Sequence, residues 1–429
     1  MANLPKLPTP IQSHSIGYDY IIYKDGEKII AKDGKSGQVI DIASNNDDSG
    51  MELIQSIIDS MAETNTRGSV FFGTGIYNIY GTLKVYNGIG LVGAQTAWST
   101  YACDKVVGAT FRGMNDCNII EVCGQYNEND DILWFSYLSN LHIVGNTSYS
   151  NQNGVVVKAL NGDIYDIFID HVLVHDVGVD GFQFYNGKVW ADHLYTESNR
   201  GNGIYTQTET LYLADSYIYG NYKHGIYNYL NGQNIIFNNR IWVNHQHGIY
   251  IYPKQVSPGF TKIALNHFLS NSYSNANTYS NIFLWHVETG EIIGNTFIDR
   301  YNTTKYHIDL IEATTKVIIA DNNFMDTATS GVIHADHSLT GTLTVGANKG
   351  GDCLKNKGIN TQSGDGTTTQ FTIPHGLVSE PSNVIVIPAS ADASGDYYIT
   401  KDDTNIYINY ISAPPAGTDN LSWYWKAEV

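Results

Sequence analysis

A small residue followed by a bulky apolar one returns at nearly constant spacing through the middle of this 429-residue chain. The phrase stands at Gly154-Val155, Gly181-Phe182, Gly203-Ile204, Gly225-Ile226 and Gly248-Ile249, then with Asn or His in the small position at Asn281-Ile282 and His307-Ile308, and again at Gly331-Val332. Subtracting neighbours gives steps of 27, 22, 22, 23, 33, 26 and 24 residues. A period of this size marks a supersecondary unit that buries its apolar face only by stacking on copies of itself. About ten residues ahead of each phrase stands an Asp or Asn: Asp170, Asp192, Asp215, Asn238, Asn266, Asn295 and Asn322. Between the two columns lie short runs such as Ile235-Ile236-Phe237 and Val317-Ile318-Ile319. Their β-branched and aromatic content suits strands, and the i, i+3, i+4 spacing of helices is missing. Two or three short strands per repeat, with Gly and Asn at the corners, predict an all-β fold, a right-handed parallel β-helix. Gly and Asn are expected at the corners because they tolerate left-handed backbone. Stacked Asn side chains are expected to bond from coil to coil, which is the structural reading of the Asp/Asn column, set against a cation site.

The formal charge of -18, from 24 Lys plus Arg against 42 Asp plus Glu, excludes an extended nucleic-acid footprint and disfavours a polyanionic sugar unless a cation intervenes. The chain has 31 Tyr but only 15% charged residues, a mix that favours flat surfaces for stacking and hydrogen bonding. Four cysteines, Cys103, Cys117, Cys123 and Cys353, allow three full pairings, and Cys117 with Cys123 could close a small loop or both could be free thiols. No apolar run reaches 18 residues, so no membrane insertion is expected. Residues 1–15 hold three prolines and lack the apolar stretch of a secretory signal, which leaves an extracellular or virion-associated protein whose signal was removed or which leaves its cell in a particle or by lysis.

Along the chain, Asp25-Gly26 between Tyr20-Ile21-Ile22-Tyr23 and Lys28-Ile29-Ile30-Ala31 predicts a hairpin within a leader over residues 1–43. Ser49 and Glu52 have capping-box spacing, and Ile54, Ile57, Ile58 and Met61 form one stripe of a helix that would cover the first coil. Coils are expected over 44–350. Ser363-Gly364-Asp365-Gly366-Thr367-Thr368-Thr369 reads as a linker, and strands at 370–373, 383–387, 397–400, 405–410 and 421–425 predict a small β-sandwich within 351–429. The helix, followed by Phe71-Phe72-Gly73-Thr74-Gly75-Ile76-Tyr77 and Leu91-Val92-Gly93, resembles the opening of the pectate lyase superfamily, viral tailspikes included, although Asn45-Asn46-Asp47-Asp48-Ser49-Gly50 replaces the usual Asp-Gly and Asp-Thr phrases. The segment Tyr20 to Gly26 with Lys32 to Gly37 resembles leaders of β-helix proteins from archaea and their viruses. Phe371 to Leu377 and Ala413 to Gly417 resemble C-terminal modules of virus-associated spikes. These resemblances imply a homotrimer acting on polysaccharide, with the last module binding sugar, clamping the trimer or capping the end.

If the residue after each repeated Gly points inward, the next points outward. Gln183, Tyr205, Tyr227 and Tyr250 then form one exposed file, and Tyr185, Gln207, Tyr229, Tyr252 and Trp285 a second. Coils about 4.8 Å apart would tile these rings into a surface for sugar faces, although stacked Tyr could equally serve the sheet or a neighbouring subunit. Beside it lies the turn ahead of each Gly, with Asp176 and Asp180, then Glu197, Arg200 and Asn202, then Lys223 and His224, then His245 and His247. Glycosidic cleavage needs one carboxyl to protonate the leaving oxygen and another to activate water or attack. Asp180 and Glu197 are the expected pair with Asp176 as substitute, His224 and His247 would assist with hydroxyls or protons, and Arg200 would bind substrate. His245 and His247 give only a weak zinc spacing, so no metal or other cofactor is expected.

The reading is therefore an endo-acting glycoside hydrolase on an extended polysaccharide. A polysaccharide lyase would need an Arg or Lys base, available only from Arg200, Lys223, Arg240 or Lys254, and commonly calcium. A non-catalytic glycan-binding spike or adhesin is the rival from another class.

Overall fold

The structure is a computed structural model that describes residues 17–94, 108–124, 133–158, 164–229, 232–252, 259–311, 316–335, 342–346, 348–349, 355–377 and 380–428. Cys103, Cys353 and Lys254 lie outside the described residues. The fold is a right-handed parallel β-helix, and the chain divides into two compact units, Met1–Val179 with Tyr185–Trp190 and Asp180–Phe184 with Ala191–Val429.

In the first unit the hairpin forms as the Asp-Gly turn predicts: Tyr20–Asp25 pairs antiparallel with Lys28–Asp33, and Gly26 takes φ +59°. The leader is not separate from the coils, because Tyr20–Ile22 also pairs in parallel with Val70–Phe72. A further strand, Val39–Ser44, extends the hairpin. The helix Ser49–Glu63 buries Leu53, Ile54, Ile57, Ile58 and Met61 against the first coil. Its capping box does not form. Asp48 is the N-cap, without a side-chain cap bond, and Ser49 sits one position too late, its hydroxyl donating to Asp47 and to the Ser44 carbonyl. Cys117 and Cys123 are free thiols.

The second unit repeats a coil of three strands. The first-strand ladder holds Ile204–Gln207, Ile226–Asn228, Ile249–Ile251, Ile282–Trp285, Tyr306–Ile311 and Gly331–Ala335. The second holds Thr210–Ala214, Gln233–Phe237, Phe260–Ala264, Thr289–Ile293, Lys316–Ala320 and Thr342–Val345. The third runs from Tyr195–Glu197 through Tyr217–Tyr219, Arg240–Trp242, His267–Leu269 and Thr296–Ile298 to Asn323–Phe324. Inward residues Ile204, Ile226, Ile249, Ile236, Ile263, Phe268 and Phe297 are fully buried, so the alternation places the core where the period requires.

Left-handed corners between second and third strands fall at Asp215, Asn238, Leu265, Gly294 and Asp321, and between third and first strands at Ser198, Gly220, Val243 and Ser270. Of the repeated glycines, Gly331 takes a positive φ of +142°, whereas Gly154, Gly181, Gly203, Gly225 and Gly248 do not. Their smallness serves close packing instead: a Cβ on Gly203 would lie 2.7 Å from the Gly225 carbonyl oxygen and 2.7 Å from Asn221 Nδ2. Next to these contacts run two buried asparagine ladders. In one, Asn239, Asn266, Asn295 and Asn322 each donate a backbone N–H and Nδ2 to Oδ1 of the next coil, ending on Asn348, at 2.9–3.0 Å. In the other, Asn199, Asn221 and Asn244 bond in the same way toward Asn271. The expected coil-to-coil amide bonding is thus present at Asn266, Asn295 and Asn322, whereas Asp215 and Asn238 are corner residues one position ahead of the ladder that also bond from coil to coil, Asn238 Nδ2 donating to Asp215 Oδ1.

The terminal sandwich packs two three-stranded sheets. One joins Lys355–Gly364, Gly417–Glu428 and Asn383–Pro388, and the other joins Gln370–Pro374, Asn405–Tyr410 and Tyr397–Lys401. Phe371, Ile406, Ile408, Leu421 and Trp423 fill the space between them. The first of these strands includes Ser363-Gly364 of the expected linker, because its polar side chains alternate over a sheet with little apolar signal.

Candidate functional site

The first-strand ladder exposes the residues that alternation places outward. Tyr205, Tyr227 and Tyr250 are directly paired in register, and the file continues through Phe283. Ring centroids are 5.4 Å apart for Tyr205 and Tyr227, 5.1 Å for Tyr227 and Tyr250 and 5.2 Å for Tyr250 and Phe283. Tyr229, Tyr252 and Trp285 form the second file, Tyr252 meeting Trp285 edge-on at 4.2 Å. All seven predicted aromatics, Tyr185 included, are partly exposed, none sealed in the core. Burial against neighbours and the nearby phenols push the hydroxyls of Tyr227 and Tyr250 up to about 12, so they present neutral donors at physiological pH.

The turn column ahead of each Gly is a third file, and it is built as a chain of capped amides. Asp180 Oδ1 accepts the Asn202 N–H at 2.6 Å, Asn202 Oδ1 the His224 N–H at 3.2 Å, His224 Nδ1 the His247 N–H at 3.2 Å, and His247 Nδ1 the Ser280 N–H at 2.9 Å. Accepting at Nδ1 fixes both imidazoles as neutral rings with the proton on Nε2. Burial drives His224 down to about 3, and burial and His224 drive His247 far below its usual range. Both rings also stack on Tyr250, at 4.5 and 5.0 Å. The two histidines therefore join the aromatic face as rigid neutral rings.

Asp180 is only 5% exposed, and burial raises its pKa against the opposing pull of Gln183, Asn202 and Lys223. Its Oδ2 accepts from Gln183 Nε2 at 2.9 Å, which ties it to the first position of the outward file. Glu197 is elsewhere: it ends a third strand, outward with Tyr195, Tyr217, Tyr219 and Trp242, and accepts the Tyr195 hydroxyl at 2.6 Å. Asp176 belongs to the first unit, where it accepts from buried His175, whose Nε2 meets His142 Nε2 at 2.8 Å. Arg200 lies on an exposed turn over the Tyr222 ring at 5.5 Å. The structure thus gathers Asp180, His224, His247, Tyr205, Tyr227, Tyr250, Tyr229, Tyr252 and Trp285 on one face, and places Glu197 on a different strand of the coil.

His245 and His247 diverge as ligands, since His245 Nδ1 meets Ser274 Oγ at 2.7 Å. Within the second unit and among the described residues, Asp192, His193 and Asp215 bring one donor atom each within 4.8 Å of one another at a corner, the arrangement closest to a metal-ligand set. It lies away from the aromatic file, on the link between second and third strands.

Sequence spacing missed three residues that extend the file, Phe283, Asp309 and His334. Asp309 pairs with Phe283, and His334 pairs with Asp309. The register aligns Ile308 with Ile333, so Gly331-Val332 stands one residue ahead of the phrase it imitates. A one-residue slip turns every side chain to the opposite face, which hid His334. Phe283 and Asp309 follow from Asn281-Ile282 and His307-Ile308 by the same alternation, one and two coils beyond Tyr250.

These features define a parallel β-helix protein carrying an exposed aromatic face. Residues 160–259 match the family described as Beta_helix, a right handed beta helix region. No curated protein matches the chain. Among solved structures, a double mutant of the tailspike protein of E. coli bacteriophage HK620 is 10% identical, with 92% of this chain and 91% of that one covered and a TM-score of 0.45. An A-module of mannuronan C-5 epimerase from Azotobacter vinelandii is 15% identical, with 69% and 94% covered and a TM-score of 0.41. The surface protein and adhesin PfbA of Streptococcus pneumoniae is 11% identical, with 70% and 92% covered and a TM-score of 0.38.

Proposed function

We propose that the chain binds an extended polysaccharide across Tyr205, Tyr227, Tyr250 and Phe283, with Tyr229, Tyr252 and Trp285 as the flanking wall. The observation that carries this reading is the unbroken file of outward rings on successive coils, closed on one side by neutral His224 and His247. Such rings offer flat apolar faces to the C–H surfaces of pyranoses, while phenol and imidazole N–H and O–H groups meet hydroxyls. The face itself carries little positive charge, which suits a neutral or weakly acidic glycan. Polysaccharide of this kind is met outside the cell or at a virion surface, and a homotrimer is the assembly expected with it.

Cleavage is the finer reading. Asp180, whose pKa burial raises, would protonate a glycosidic oxygen at one end of the file. Binding without cleavage is the second reading, and it is favoured by the position of Glu197, which ends a third strand and accepts the Tyr195 hydroxyl away from the turn that carries Asp180. Incubation with a glycan panel, reading both retention and new reducing ends, decides between them. New ends that disappear in Asp180→Asn support hydrolysis; retention without new ends supports a binding protein; neither retention nor ends rejects both.

A further inference from the structure

We propose that His334, oriented by Asp309, is a general base that hydrolyses acyl esters on a glycan bound along the aromatic face. The proposal rests on the polysaccharide reading for its substrate, and on a separate set of residues for its chemistry.

Asp309 and His334 are consecutive members of the outward file that begins with Tyr205, at its opposite end from Asp180. The Asp309 carboxylate is buried, with 4% exposure, and both oxygens are engaged: Oδ1 accepts His334 Nδ1 at 2.7 Å and Oδ2 accepts Ser280 Oγ at 3.2 Å. The His334 side chain keeps 39% of its surface and stacks on Tyr306 at 4.7 Å with an interplanar angle of 13°. The carboxylate of this hydrogen-bonded pair is buried and its imidazole is open. The carboxylate fixes the proton on Nδ1 and leaves the Nε2 lone pair toward solvent. Lys305, with its ammonium 5.2 Å from the centre of the Tyr306 ring, adds positive charge at the same corner.

Position decides which reaction such a dyad can serve. Glycosidic cleavage needs two groups roughly 5–9.5 Å apart. Asp180 and Asp309 are separated by five coil steps, about 24 Å at ~4.8 Å per step, so they cannot share one bond. Ester hydrolysis needs one proton-exchanging group used twice. His334 Nε2 takes a proton from water as the water oxygen bonds to the acyl carbon. The tetrahedral adduct then breaks its bond to the sugar oxygen, and the imidazolium returns the proton to that oxygen. The products are a carboxylic acid and a free sugar hydroxyl, with no further reactant.

The test measures acetate released from acetylated xylan, acetylated glucomannan and 4-nitrophenyl acetate by the full chain, His334→Asn and Asp309→Asn. Release from an acetylated glycan that falls at least 100-fold in His334→Asn, with unchanged melting and unchanged glycan retention, is the expected result. Asp309→Asn should lower the rate and distort its pH profile, a response that loss of packing alone would not give. Release from 4-nitrophenyl acetate alone, dependent on His334, keeps the dyad and rejects the glycan face. Absence of release from all three esters, or release indifferent to His334→Asn, overturns the proposal while leaving glycan binding to be judged by retention.

Discussion

At Gly203 the repeat spends its smallest residue on space, and Asp180 shows what the same close packing does to a charge. A methyl group at Gly203 would be forced against the Gly225 carbonyl and the Asn221 amide, both part of coil-to-coil hydrogen bonding that cannot retreat. Gly203→Ala is expected to cost about 1–3 kcal/mol, read as a lower denaturation midpoint at constant m. Asp180→Asn should act in the opposite direction. Burial raises the Asp180 pKa, so the folded state holds its proton where the unfolded chain has already released it. The stability linked to that proton is full in acid and is lost as pH rises through the folded value. Asn cannot ionise and retains an acceptor for Asn202, so the melting advantage of Asp180→Asn should grow from acid toward neutral pH, together with loss of any cleavage activity.

The first-strand ladder and its turn column join stability to the same side chains that make the surface. His224 and His247 cap the amides of the following coils through Nδ1, and protonation would replace each acceptor by a donor. With folded values pushed well below the ordinary 6.5, the unfolded chain gains protons first as pH falls. Stability is therefore complete above about pH 6.5 and lost below it, by up to about 1.4 kcal/mol per pH unit for each histidine. His224→Asn and His247→Asn, which keep an acceptor as Asn202 does, are expected to flatten this acid loss in melts taken between pH 4 and 7. The period and alternation make most of this element readable in the sequence: the outward tyrosines follow from Gly203-Ile204, Gly225-Ile226 and Gly248-Ile249 alone. Three things were not readable. The glycines looked like left-handed corners because composition does not distinguish conformational freedom from lack of room. Glu197 looked adjacent to Asp180 because linear distance does not reveal that a corner at His193 turns the chain between them. His334 was concealed by a one-residue slip of the final phrase.

For the molecule as a whole, the coil supplies stiffness through buried asparagine ladders and aliphatic layers, while function is confined to outward positions that the ladders hold at fixed intervals. An acidic chain of this kind can still bind a polymer, because stacking requires aligned rings rather than net charge. Binding should then depend weakly on salt, in contrast to a protein that reads phosphate or sulfate groups. Affinity electrophoresis through a panel of neutral and weakly acidic polysaccharides is the measurement that bears on the aromatic face itself, comparing the full chain with Tyr227→Ala and Tyr250→Ala. A retained glycan whose affinity falls about 10-fold in each variant, at unchanged circular dichroism and with little effect of 0.5 M salt, is the expected result, about 1.4 kcal/mol per lost ring. Retention that is equal in all three proteins would contradict it and move the ligand to another surface.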